Sequence, residues 1–149
     1  MTGPCRRATA LAAALALFAG SAQAAELPET IWDGVYTESQ ARRAEAFYPV
    51  ACGKCHGYRL DGAPDDPDMF STLPIAGRKF LRAWDGRPVA ALFERIKLTM
   101  PANNPGWLTD AELAEVVAYM LLVSGVPSGQ NELPADIDRL SRLMLGPAP

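Results

Sequence analysis

Cys52-Gly53-Lys54-Cys55-His56, followed by Gly57, is the stretch on which the reading of this chain turns. Two thiols three residues apart fall on one side of a helical turn, and an imidazole follows at once. Pro49 stands just upstream. It lacks an N–H and constrains Tyr48, so a helix arriving from the N-terminal side should end or bend where the cysteine segment begins.

Working outward, the flanking sequence carries helical periods throughout. Thr37-Glu38-Ser39-Gln40 has the form of a capping box and opens a run with Ala41, Ala44, Phe47 and Tyr48 at helical spacing. Residues 58–74 hold Gly62, Pro64, Pro67, Pro74 and four Asp residues, which predicts a long solvated loop. Asp61, Asp65, Asp66 and Asp68 lack the spacing of a calcium loop. Residues 78–84 can form a short helix, and Pro88 suits a first helical position ahead of Val89, Leu92, Phe93 and Ile96. After Thr99-Met100-Pro101, the run Thr109-Asp110-Ala111-Glu112 is a second capping box. It leads Leu113, Val116, Val117, Met120 and Leu121 on one face, and Gly125 and Pro127 end that helix. A last amphipathic stretch, residues 135–145, sets Ile137, Leu140 and Leu143 or Met144 on one side and reads as packing. With no period-2 run and no internal repeat, the fold class is all-α.

The N-terminus has the pattern of a secretory signal: Arg6 and Arg7, an apolar core over residues 8–19, then Ala22-Gln23-Ala24 as a small-x-small cleavage site. That core is well short of the roughly 20 residues a membrane-spanning helix needs, so no integral span is expected. Cys5 precedes the core and should leave with the leader. The expected organisation is a cleaved signal peptide (1–24), an extended lead segment (25–34), a main domain (35–129) and a C-terminal extension with a short helix (130–149). The expected location is the periplasm, as a soluble protein. The chain has a formal net charge of −3, and loss of Arg6 and Arg7 makes the remainder more negative. No basic stripe exists to displace counterions, which argues against nucleic acid and favours a partner with a basic docking face.

Four readings compete for the cysteine segment. A zinc site needs about four N or S ligands, and beyond the leader there are only two Cys and one His. A thioredoxin-like pair expects a βαβ pattern, which is missing. A disulfide remains open in an oxidising compartment, yet leaves the adjacent imidazole unexplained. Covalent attachment of one haem uses all three residues: Cys52 and Cys55 as thioethers, His56 as a neutral iron ligand.

The attachment motif with Gly57, the Thr99-Met100-Pro101 strap and the helix over residues 113–122 resemble a class I cytochrome c, over residues 35–129. Pro49 departs from that pattern. Within the class, the stretch from Gly86 through Leu92-Phe93-Glu94-Arg95-Ile96 to Met100-Pro101 and Asn104-Pro105-Gly106 is similar to cytochromes and cytochrome domains that serve periplasmic quinoprotein (PQQ) dehydrogenases. The resemblance implies a small cytochrome c-like fold around one haem c.

An electron carrier needs its iron held on both faces. Met100 is the candidate second ligand, with Pro101 stiffening the backbone beside it; a thioether there favours Fe(II) and raises the potential. Met69 and Met120 are rivals, although Met120 occupies a helical core position. Arg78, Lys79, Arg82, Trp84 and Arg87 cluster between motif and strap, and Arg78 and Trp84 are the candidate donors to the haem propionates. Pro74, Ile75, Phe80, Leu92, Phe93 and Ile96 are the expected haem wall. The implied function is electron transfer without substrate chemistry, from a dehydrogenase donor to a terminal oxidase or another cytochrome. Two alternatives stand beside it: an open or labile sixth site, as in a small-ligand sensor or peroxidase-like protein, and a haem subunit of a larger dehydrogenase complex.

Overall fold

The computed structural model describes residues 30–68 and 73–149. The expected signal peptide, the first half of the lead segment and Met69 lie outside the described residues.

Among the described residues six α-helices follow in chain order: α1 (Glu38–Tyr48), α2 (Lys54–His56), α3 (Gly77–Ala83), α4 (Val89–Thr99), α5 (Asp110–Val123) and α6 (Ile137–Leu140). A π-helical segment, Pro49–Gly53, joins α1 to α2, and a 3₁₀ turn, Ile31–Asp33, precedes α1. Among the described residues there is no strand, only isolated bridges of Met144 to Thr30 and to Pro88. The described fold is all-α, as the sequence periods predict.

The pairing of α1 with α5 is the most extensive helix contact. Its cause is compositional: α1 offers Ala41 and Ala44, both fully buried, so the backbones approach closely. α5 buries Leu113, Ala114, Val116, Val117, Ala118, Tyr119, Met120 and Leu121, covering most of its circumference. Tyr48 and Tyr119 close the far end of the pair edge to face, with ring centroids 5.4 Å apart.

At α5 both halves of the expected capping box form: Thr109 Oγ1 accepts from the Glu112 N–H, and the Glu112 carboxylate accepts from the Thr109 N–H at 2.8 Å. At α1 only one half forms. Thr37 Oγ1 accepts from the Gln40 N–H at 3.2 Å, but the Gln40 side chain turns inward. It is 2% exposed; its amide donates to the Leu133 carbonyl at 2.9 Å and accepts from the Leu133 N–H at 2.8 Å.

Three further expectations are corrected. Pro88 is the N-cap of α4 rather than its first helical residue, with extended backbone. The expected helix over residues 135–145 shrinks to the single turn α6, leaving Ile137 and Met144 exposed while Leu140, Leu143 and Leu145 are buried. The backbone after α6 instead pairs with the α3–α4 connection: Val89 N–H donates to Leu143 O at 2.8 Å, Leu145 N–H to Arg87 O at 2.8 Å, and Gly86 N–H to Leu145 O at 3.0 Å. Finally, the described end of the lead segment is not extended over the surface. Ile31 is fully buried in its 3₁₀ turn, and Ile31 N–H donates to Met144 O at 3.2 Å.

Candidate haem site

The motif begins where α1 can no longer continue. Pro49 has no N–H to give to the preceding turn, and the chain widens into the π-helical segment before tightening again at α2. This is the physical form taken by the bend expected at Pro49, and it carries Cys52, Cys55 and His56 on one continuous helical path.

The motif is held from both sides. Tyr48, the last residue of α1, donates through its hydroxyl to the Gly57 carbonyl at 3.0 Å, spanning the cysteine segment. Burial pushes the Tyr48 hydroxyl pKa upward, so it stays a donor. Gly57 has φ +77, and a Cβ there would lie 2.7 Å from the Asp61 carboxylate and 2.8 Å from the Ala63 nitrogen. Only glycine fits this exit from the motif. Beyond it the loop folds back: Leu60 N–H donates to Gly57 O at 3.1 Å and Gly62 N–H to His56 O at 2.9 Å. Gly53, between the cysteines, lies under the Tyr58 ring, where a Cβ would meet ring carbon at 2.7 Å.

Cys52 is half-buried against the core and Cys55 is exposed; the two thiols are not bonded to each other. Burial, and then the neighbouring Cys55, push the Cys52 thiol up to about 11. Burial lowers the His56 pKa, which keeps the ring neutral with a lone pair available. Its Nδ1 is buried without a hydrogen-bond partner. A buried polar atom left unpaired costs about 1–3 kcal/mol, and ligation through the ring accounts for retaining the imidazole there. Which nitrogen faces the metal is exchanged by a half-turn of the ring.

Among the described residues no three His, Cys, Asp or Glu side chains are placed to hold one ion together. Two thiols and an imidazole that do not converge suit a flat group with separate attachment points. The donor set and the orphaned nitrogen therefore fit haem c. Cys52 and Cys55 would carry it and His56 would ligate its iron.

Met100 is the C-cap of α4, half-buried and extended, with its N–H donating to Ile96 O at 2.8 Å. α4 packs chiefly on α5 and α6, while α2 packs on the segment before it. His56 and Met100 thus belong to helices that make no extensive contact with each other. Of the expected wall, Phe80, Leu92 and Phe93 are buried, and Pro74, Ile75 and Ile96 are partly so. Met120, the rival ligand on α5, is 2% exposed within the core cluster.

The candidate propionate donors separate. Arg78 is exposed in the first turn of α3. Trp84 is half-buried beside Phe80 with centroids 6.1 Å apart, and the Arg87 guanidinium lies 5.2 Å from its ring centroid. Three supporting residues escaped the sequence reading: Tyr48 at the motif, Gln40 at Leu133, and Ser124. The Ser124 hydroxyl accepts from the Gly77 N–H at 2.9 Å and donates to Met120 O at 2.6 Å, tying the start of α3 to the end of α5. Tyr48 alone had a local signal, standing four residues before Cys52.

No helix among the described residues is long and apolar enough to cross a membrane. No curated protein and no solved structure matches the chain. The family model described as cytochrome c oxidase, cbb3-type, subunit III matches residues 39–120, more than half of the chain, from the first turn of α1 into α5. That span contains Cys52, Cys55, His56 and Met100. By this match the chain belongs to the family of cbb3-type cytochrome c oxidase subunit III domains and is a c-type cytochrome, an electron-transfer haem protein.

Proposed function

We propose that this cytochrome is an exported single-haem electron carrier of the periplasm, with Cys52 and Cys55 as thioether attachments and His56 and Met100 as axial ligands. The observation that carries the reading is the braced turn from Pro49 to Gly57, which presents two unbonded thiols and a neutral, half-buried imidazole on one helical path. Haem, when bound, supplies a one-electron iron couple. The chain's own residues hold the ring in place, exclude water with Phe80, Leu92 and Phe93, and offer a sulfur ligand at the end of α4. Trp84 and Arg78 are the proposed donors to the propionates. The leader-like residues 1–24 support export. The similarity over residues 86–106 supports a quinoprotein dehydrogenase as donor, with a terminal oxidase or second cytochrome as acceptor.

The test is the reduced-minus-oxidised absorption spectrum of the exported protein and of Met100→Ala, following the weak far-red sulfur-to-iron band of the oxidised form. A band present in the parent and lost in the variant supports the carrier. A parent without it, and with rapid carbon monoxide binding when reduced, points instead to an open sixth site.

One observation favours a second reading, that the haem is held within a larger complex: the family's own description is that of an oxidase subunit. Co-purification in a stable assembly supports that reading, and elution as a clean monomer removes it.

A further inference from the structure

We propose that the ion pair between Lys97 and Asp110 is a latch that closes the loop of residues 100–109 and holds Met100 in its ligating position. The proposal rests on the reading of Met100 as an axial ligand, and it makes Lys97 and Asp110 positioning residues for that ligand.

The loop has little of its own to hold it shut. Met100 and Pro101 are half-buried at one end and Leu108 is buried at the other, but residues 102–107 between them are all exposed. Burial therefore anchors the two ends and nothing in the middle. Within the loop, Asn104 N–H donates to Pro101 O at 2.8 Å. Gly106 turns with φ +76, and a Cβ there would lie 3.9 Å from the Lys97 carbonyl oxygen, so the loop doubles back along the last turn of α4. Its closure brings two helix ends together rather than burying a further side chain.

The ion pair spans that closure. Lys97 stands in the last turn of α4, three residues before Met100, and Asp110 stands in the first turn of α5. Lys97 Nζ lies 2.7 Å from Asp110 Oδ1. The other ion pairs among the described residues lie elsewhere. Arg42 pairs within α1, Arg43 joins α1 to Glu115 and Glu132, and the Arg59–Asp61 pair follows the motif. Among the described residues, Lys97–Asp110 alone links the two helices that flank the loop.

Both anchor points are themselves firm. Met100 N–H donates to Ile96 O at 2.8 Å, and the capping box of Thr109 and Glu112 fixes the start of α5. Elsewhere α4 packs on α5 far less extensively than α1 does, so the pair adds to a thin contact. Each charge also suits the dipole of its own helix. That effect acts in the two residues separately, whereas a latch acts as one unit. The two side chains are 45% and 49% exposed, so their attraction is modest and screened by salt. The closed loop gains a factor of about five at most from it.

The experiment measures carbon monoxide binding to the reduced, haem-loaded protein, a reaction that requires Met100 to leave. The parent is compared with Lys97→Gln, Asp110→Asn, the double variant and Arg42→Gln. The last removes exposed ion pairs away from the loop and is the charge-matched control for Lys97→Gln. The expected result is binding about two- to fivefold faster in either single variant, no faster in the double than in the singles, and unchanged in Arg42→Gln. Added salt should quicken binding in the parent and leave Lys97→Gln unmoved, a response that lost packing does not give. Unchanged binding in Lys97→Gln, equal acceleration in Arg42→Gln, or single effects that multiply in the double variant overturn the proposal. The far-red band of the oxidised parent reads the Met100 assignment separately. Where that band is absent, amide exchange at Asn104 reads the loop instead: faster exchange in Lys97→Gln than in Arg42→Gln upholds the latch, and equal exchange overturns it.

Discussion

Gln40 shows how one side chain can hold a fold together from a position that looks like a helix start. Its amide satisfies both the N–H and the carbonyl of Leu133, 93 residues away. Gln40→Ala strands that buried pair and should cost about 2–3 kcal/mol, measured as a lower urea midpoint at unchanged slope. A second residue acts through pH. Tyr36 is fully buried, its hydroxyl donates to Val126 O at 2.6 Å, and burial, with a smaller effect of Glu38, pushes its pKa up to about 12. The raised value means the folded state keeps a proton that the unfolded chain loses near pH 10. The stability this contributes is full below pH 10 and is lost as the pH climbs toward 12. Urea unfolding followed across that window should decline steeply in the parent and less steeply in Tyr36→Phe. Cys52, Cys55 and His56 could be singled out from their types and spacing, because covalent attachment of a haem would demand such adjacency. Gln40 was not, because the same local pattern serves a capping box or a distant clamp, and only the neighbour decides.

The helices were legible wherever a period ran long enough to be buried on one face. α4 and α5 appear where their spacing predicts them, with Val89, Leu92 and Phe93 inside one and Leu113, Val116 and Val117 inside the other. The capping box of α5 is a local feature and formed as expected. Its Glu112 carboxyl is held below the usual carboxylate range by hydrogen bonds from the Thr109 backbone and hydroxyl. A depressed pKa contributes stability above the unfolded value that is lost as the pH falls. Thr109→Ala should therefore lower stability at neutral pH and lower it less near pH 3, read from urea unfolding at both. The final segment was misread because its apolar spacing fits a helix equally well. Its backbone finds better partners in residues 86–89, and the chain straightens after one turn to reach them. Leu143→Ala, which empties a fully buried position at that junction, should cost about 2–5 kcal/mol and loosen the connection between α3 and α4, visible as faster amide exchange at Val89.

At the scale of the molecule, the described chain shares one core. Ile31 before α1 and Leu133, Leu140, Leu143 and Leu145 after α5 join the same buried cluster as the helices. Gly34 and Gly129 meet so closely that a Cβ on Gly129 would lie on the Gly34 carbonyl group, which sets the turn before α1 against the segment after α5. Removing residues 130–149 takes four buried leucines with it, at about 1.5–3 kcal/mol each, against a total stability of about 5–15 kcal/mol. Truncation after Gly129 should give a protein that is unfolded or digested within minutes by a protease the full chain resists. The sequence by itself determined the helical class, the Cys-x-x-Cys-His pattern and the net charge, since each rests on residue type and short spacing. The tertiary structure alone decided that Ile31 and the leucines after α5 belong to the core, that Gln40 clamps Leu133, and that Tyr48 braces the motif. Those features depend on contacts between residues far apart in the chain, and the free energy that selects such contacts comes from burial and hydrogen bonding that exist only once the helices have packed.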